Sequence, residues 1–337
     1  MNIENLKSEI FNLEEARFEN LSLKVFHYQY SFNPIYHQFV NNLNINPDSI
    51  QELNQIPFLP IEIFKYQKIY SGTNCPEFYF ESSGTSGQTC SKHYYNSTDF
   101  YLKIAEKIFN DFYGELKDYH IIGLLPSYLE RQNASLVCMV NDFIKKSQSD
   151  YSGFYLNNFE ELNSKIKRLI HTKKKIFIIG VSFGILDWLE YKKLDSEIIN
   201  AFENDQIILM ETGGMKGRRK EMSREELNKI FQSHTHAKNI HSEYGMTELF
   251  SQSYSKRDGV FQTGFSKKII LRELNDPFTM VTEYNKTGGI NIIDLANVES
   301  LSFIATQDAG RLLSNEEFEI IGRIQNSDLR GCNLMVN

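Results

Sequence analysis

The sequence predicts an α/β protein with a largely parallel sheet, followed by a smaller β-rich part. Between residues 98 and 245 helical patterns alternate with short apolar runs, the signature of βαβ units. Beyond residue 260 the texture changes to short strands joined by turns. At 337 residues the chain can bury a substantial core, and its length permits one large domain or two smaller ones; one body with subdomains is the preferred reading.

Residues 1–45 read as two helices rich in Phe and Tyr, with Phe26, Tyr30 and Phe39 at roughly helical spacing as core contacts. Pro57 and Pro60 break that pattern and lead into the strand Phe78-Tyr79-Phe80. A helix over 98–113 precedes the strand 121–125, which Pro126-Ser127 ends. Helices over 134–146 and 159–171 then alternate with strands at 176–181 and 206–210, and a helix over 223–232 leads to the segment around Tyr244. Short strands follow at 268–273, 289–295, 301–306 and 318–322. The predicted divisions are an N-terminal helical segment (1–45), an α/β body (46–265) and a small β-rich subdomain with a C-terminal tail (266–337).

Net charge is −7, so no global positive field exists to hold a nucleic-acid backbone, and nucleic acid is not an expected partner. The N-terminus lacks the basic start and apolar run of a signal peptide. The most apolar stretch, 176–189, is too short to span a bilayer and is interrupted by Ser182 and Asp187. Four cysteines, Cys75, Cys90, Cys138 and Cys332, are scattered without a CxxC pair, which suits free thiols in a reducing cytoplasm. A cytoplasmic protein with no membrane span is therefore expected.

The most informative segment is Glu81-Ser82-Ser83-Gly84-Thr85-Ser86-Gly87-Gln88-Thr89-Cys90-Ser91-Lys92. Small residues let backbone N–H groups approach phosphate oxygens, hydroxyls add donors, and a lysine adds countercharge. Alone, such a run is as compatible with a solvated Ser/Gly turn. Downstream lie Thr212-Gly213-Gly214-Met215-Lys216-Gly217-Arg218-Arg219, Ser242-Glu243-Tyr244-Gly245-Met246-Thr247-Glu248, Thr306-Gln307-Asp308-Ala309-Gly310, and a closing run from Gly322-Arg323 to Arg330-Gly331-Cys332-Asn333.

In order and approximate spacing these segments resemble the core motifs of the adenylate-forming superfamily, which activates carboxylic acids with ATP, and within it the acyl-protein synthetase branch. The resemblance runs from about Pro57 to the C-terminus, and it is the ordered combination that is specific. It implies the large-domain architecture of those enzymes without their mobile C-terminal domain. It also implies ATP and Mg²⁺ as cofactors, and Ser82, Ser83, Gly84, Thr85, Ser86 and Gly87 as the cradle of the β- and γ-phosphates. Lys92 would lie nearby, slightly farther from the last glycine than the family places its lysine, and Lys216 or Arg218 could substitute. Gly213 and Gly214 would lie against the nucleotide, Tyr244 beside Gly245 would stack on adenine, Thr247 would donate to the α-phosphate, and Glu248 would help hold Mg²⁺. Asp308 would accept hydrogen bonds from the ribose hydroxyls, although Gln307 departs from the family's Thr-Gly-Asp, and Arg323 would bond the ribose from the other side. Cys332 would accept the acyl group as a thioester, its thiolate favoured by Arg330.

The implied activity is activation of a carboxylic acid, by resemblance a fatty acid, to acyl-AMP. Transfer to Cys332 and delivery to an acyl-CoA reductase-type or acyl-carrier protein partner would follow. Alternatives are an acyl-CoA ligase using a diffusible thiol, a catalytically silent nucleotide-binding subunit, and a serine hydrolase or acyltransferase. The last rests on Gly180-Val181-Ser182-Phe183-Gly184, a G-x-S-x-G run between a strand and a helix, but no histidine follows His241. His234-Thr235-His236 lacks a third metal ligand at standard spacing.

Overall fold

The computed structural model describes residues 2–83, 89–125, 133–155, 158–213 and 222–324. Gly84, Thr85, Ser86, Gly87, Gly214, Lys216, Arg218, Arg330 and Cys332 lie outside them. Three helices open the chain: α1 (Ile3–Phe11), α2 (Phe18–Phe32) and α3 (Pro34–Asn42). The sequence pattern predicts two, and the difference lies at Asn33-Pro34. Asn33 accepts the Tyr36 N–H as an N-cap, and Pro34 occupies the first helical position, where a missing N–H is tolerated. Phe26 is buried, whereas Tyr30 and Phe39 pack half-buried against the core.

A short strand β1 (Leu59–Pro60) and a hairpin of β2 (Phe78–Glu81) and β3 (Lys92–Tyr95) come next. Helix and strand then alternate as α4 (Asp99–Tyr113), β4 (Tyr119–Leu124), α5 (Ser135–Lys146), β5 (Gly153–Phe154), α6 (Phe159–Leu169) and β6 (Lys175–Gly180). The series continues with α7 (Ser182–Tyr191), α8 (Ser196–Glu203), β7 (Ile207–Glu211), α9 (Arg224–Thr235) and β8 (His241–Tyr244). Strands β5, β4, β6, β7 and β8 pair in parallel in that order. All six residues of β4 are buried, which is why it reads as a continuous apolar run and not an alternating one.

The remaining strands are β9 (Ser253–Ser255), β10 (Val260–Thr263), β11 (Lys267–Arg272), β12 (Met280–Val281), β13 (Thr287–Asp294), β14 (Phe303–Leu312) and β15 (Glu317–Arg323). They continue the parallel strands as one mixed sheet, in the order β12-β11-β13-β14-β15-β10-β9-β8-β7-β6-β4-β5, with β1 beside β14. The antiparallel β8–β9 pair is the joint between the two textures.

Aromatic side chains fill the core: Trp188, Tyr36, Tyr101, Tyr254, Phe26 and Phe109 are essentially inaccessible. Each contributes roughly 1.5–3 kcal/mol by leaving water. The N-terminal helices are also tied down by polar groups. Gln29 Nε2 donates to Asn297 O (3.1 Å), Gln29 Oε1 accepts from Ser302 N (2.9 Å), and Asn33 Nδ2 donates to Ser300 O (2.9 Å), all buried. No helix among the described residues is long and apolar enough to cross a membrane.

Candidate functional site

In open α/β sheets ligands bind beyond the C-terminal ends of the parallel strands. Here the ends of β7 and β8 meet the β2–β3 hairpin around a cavity of about 150 Å³, lined among others by Glu81, Ser83, Thr212, Gly245, Met246 and Thr247. Glu81 and Ser83 of the hydroxyl-rich segment and the later acidic turn, which the sequence separates by some 160 residues, therefore line one cavity. Ser83, Gly245 and Thr247 are brought together there.

The hydroxyl-rich loop is the tip of the hairpin. Glu81 pairs with Lys92 in register, Ser82 N donates to Ser91 O (3.0 Å), and Ser91 N donates back to Ser82 Oγ (2.9 Å). Ser82 thus closes the base of the loop. Lys92, about two-fifths exposed, lies 4.4 Å over the Tyr79 ring and 3.9 Å from Glu81. The next residue, His93, was not singled out from sequence. It is fully buried, its Nδ1 bonds Thr247 O (3.0 Å), its Nε2 bonds Ser300 Oγ (2.6 Å), and its ring stacks on Phe250. Because Nδ1 faces a carbonyl it carries the proton, so Nε2 accepts from the serine. Burial pushes its pKa down to about 4, against the opposing Thr247 bond. The hairpin is thereby locked to the turn that follows β8.

That turn is held from several sides. Asn297 Nδ2 donates to Glu248 O (2.7 Å), Phe250 N donates to Asn297 Oδ1 (3.0 Å), and Asp294 Oδ2 accepts from the N–H groups of Phe250 and Ser251 (2.9 Å each). The Glu248 side chain is buried and its pKa is raised by that burial, with a bond from Ser91 opposing the shift. Among the described residues no three His, Cys, Asp or Glu side chains cluster as a metal cage. Mg²⁺ rarely needs one, because one carboxylate plus phosphate oxygens and waters complete its shell. That single-carboxylate role is the one the sequence resemblance implies for Glu248.

Tyr244, Asp308 and Arg323 converge as a second group. Tyr244 donates its hydroxyl to Asp308 Oδ2 (2.7 Å), and Arg323 Nε lies 3.8 Å from Asp308 Oδ1. Strand register sets the latter pair, since Asp308 on β14 faces Arg323 on β15. The arginine is largely exposed, so the pair itself contributes little stability. A carboxylate flanked by a phenol and a guanidinium is suited to accept from a vicinal diol, which matches a ribose. The Tyr244 ring packs edge-on against Phe261 and Phe318 at 6.0 Å, and burial followed by the Asp308 charge drives its pKa well up.

Behind this surface lies a buried charged group that sequence reading did not anticipate: Glu211, Glu243, Lys267 and Asp294. Glu211 Oε2 accepts from Gly213 N (2.7 Å) and Ser182 Oγ (3.1 Å), and Arg224 Nε lies 3.6 Å from its other oxygen. The Gly213 bond holds the chain at φ +73°, a left-handed conformation that favours glycine. Lys267 Nζ reaches Tyr244 O at 3.5 Å. Burial raises the Glu243 pKa and lowers that of Lys267, each opposed by the charge of the other. Ser182 is wholly buried at the start of α7 with a carboxylate, not an imidazole, as its partner. That environment does not suit a hydrolase nucleophile. His236 sits in the left-handed cap of α9 and meets Glu203, not a metal set. Cys75, Cys90 and Cys138 are free thiols.

No family model matches the chain. It is similar to the long-chain-fatty-acid–luciferin-component ligase of Aliivibrio fischeri, 21% identical over 355 residues that cover 97% of this chain and 90% of that protein. Among solved structures, 2-hydroxyisobutyryl-CoA ligase in its thioesterification state, with its acyl-AMP and CoA, superimposes with a TM-score of 0.61 at 11% identity, over 95% of this chain and 71% of that one. The same enzyme in its postadenylation state gives 0.63 at 10% identity, over 92% and 68%. The chain is thus a distant homologue of the Aliivibrio ligase, with the fold of the large domain of adenylate-forming enzymes.

Proposed function

We propose that this protein is an ATP- and Mg²⁺-dependent acid-activating ligase of the acyl-protein synthetase kind. The observation that carries this reading is that Ser83 of the hairpin and the Gly245–Thr247 turn line one cavity, directly after Tyr244, whose hydroxyl bonds the Asp308 that Arg323 faces. Bound Mg²⁺, held by Glu248 and phosphate oxygens, would offset charge on the leaving pyrophosphate. Asp308 and Arg323 would hold the ribose, and Ser82, Ser83 and the loop residues beyond them the outer phosphates. Thr247 would fix the α-phosphate. The substrate carboxylate oxygen then attacks the α-phosphorus, a new O–P bond forms, and the bond to pyrophosphate breaks. In the second step the Cys332 thiolate attacks the acyl carbon, a C–S bond forms and AMP leaves. A reductase or carrier protein would take the acyl group onward. The acceptor role of Cys332 rests on the sequence resemblance; the name of the Aliivibrio relative assigns that protein a long-chain fatty acid.

Acid-dependent exchange of labelled pyrophosphate into ATP tests the first step. Cys332→Ala should retain exchange and lose covalent acylation by labelled acid. Exchange without a thioester on any cysteine would transfer the case to a ligase using a diffusible thiol, and nucleotide binding without exchange would point to a silent subunit.

A further inference from the structure

We infer that the acid activated here is short and carries a hydrogen-bond donor, a hydroxyl or an amino group, that meets Glu243 in the wall of the cavity. This rests on the activation reading above and names the substrate class of the same site. Size is the first argument. A cavity of about 150 Å³ matches the space that takes a benzene-sized body, well below the roughly 300–1,000 Å³ of pockets for larger ligands.

The chemistry of the wall is the second. Leu136, Met139, Met246 and Leu249 give it apolar area, but Glu243 and Gln252 share it. Gln252 is 3% exposed; its Nε2 donates to Phe250 O (3.1 Å), while its Oε1 is buried and has no partner among the described residues. Glu243 is 9% exposed and accepts no hydrogen bond from a described residue; Lys267 and Glu211 are the charges that act on it from behind. Gly245 is shaped to this carboxyl, because a Cβ there would lie 2.1 Å from Glu243 Oε1. One acceptor without a donor, the Glu243 carboxyl, thus lines a small cavity. An alkyl chain packed over it would leave it unsatisfied, at a cost of about 1–3 kcal/mol, whereas a hydroxyl or ammonium group would satisfy it. Sites built to bond a substrate hydroxyl reject the analogue lacking it by up to ~10⁴-fold or more, but a carboxyl that can neutralise itself by protonation softens that penalty. A preference of about 100-fold is expected.

The test is pyrophosphate exchange with 3-hydroxybutyrate, 4-aminobutyrate, pentanoate and tetradecanoate. The expected result is a kcat/KM for the better of the two donor-bearing acids about 100-fold above pentanoate, with tetradecanoate lowest. Glu243→Leu should reverse the order of 3-hydroxybutyrate and pentanoate, and Glu243→Gln, which keeps the shape and can still bond, should retain a preference of roughly tenfold. Either alkanoate as the best substrate, or an unchanged ratio in Glu243→Leu protein that folds as judged by circular dichroism, would overturn the inference. If no acid supports exchange, the activation reading fails, and calorimetric titration of the same acids decides the cavity separately. Saturable binding confined to a donor-bearing acid supports it, and equal or absent binding of all four overturns it.

Discussion

His93 gives the sharpest forecast, because its contacts and its titration can be separated by one substitution. In His93→Gln the amide can still donate toward Thr247 O and accept from Ser300 Oγ, but it cannot take up a proton, and it loses the stack on Phe250 at 4.3 Å. At pH 7.5 the variant should be less stable by about 1 kcal/mol, the scale of one imperfect buried hydrogen bond. At lower pH the sign changes. A histidine with a folded pKa of about 4 and an unfolded value of 6.5 binds more protons when unfolded throughout that window, so its contribution to stability falls as pH falls. Between pH 7.5 and 5 the loss from His93 alone is about 2 kcal/mol. His241, lowered for the same reason, and Glu243, raised, titrate alike in both proteins and cancel in the comparison. The variant should therefore be the more stable protein at pH 5, by about 1 kcal/mol. Urea unfolding followed by the fluorescence of the single tryptophan, buried Trp188, measures both curves. Parallel pH profiles with a constant offset would show that the imidazole is not the neutral, buried bridge described here.

Tyr244→Phe removes the 2.7 Å bond to Asp308 and should raise KM for ATP several-fold in the exchange assay, with a smaller change in kcat; an unchanged KM would detach Asp308 from nucleotide binding. Lys92→Ala deletes only a half-exposed ion pair and ring contact, so the unfolding free energy should move by less than about 1 kcal/mol while exchange slows at least tenfold. Unimpaired exchange would move the countercharge role elsewhere. Ser182→Ala should cost about 1 kcal/mol in urea unfolding through the lost Glu211 bond, and neither it nor wild type should take up an active-serine probe. Labelling of the wild type alone would revive the hydrolase alternative.

The alternation of helix and strand was legible because strands such as β4 and β6 are short, apolar and bounded by turn residues, and because α5 and α9 have clean helical faces. The extra break at Asn33-Pro34 was written in the sequence as a cap followed by proline. Joining of the late strands to the parallel ones was not legible, since the β8–β9 and β10–β15 pairings depend on contacts remote in sequence. Tyr244, Asp308 and Arg323 could be named together only through motif order, and the strand register then supplied their contact. Glu243 and Lys267 escaped notice for a physical reason. A charged residue on a strand of sequence His-Ser-Glu-Tyr looks solvated, and only tertiary packing removes its water. His93, beside Lys92, carried no local signal.

The tie from α2 to the 297–302 segment has a practical meaning for anyone preparing this protein. Gln29 grips the main chain of Asn297, and Asn297 in turn grips the main chain on both sides of Leu249. Trimming the opening helices to obtain a minimal fragment would release the hold on Asn297, which itself bonds the Glu248 carbonyl. Loss of turnover in such a fragment would then report slackened scaffolding and not a missing reactive group.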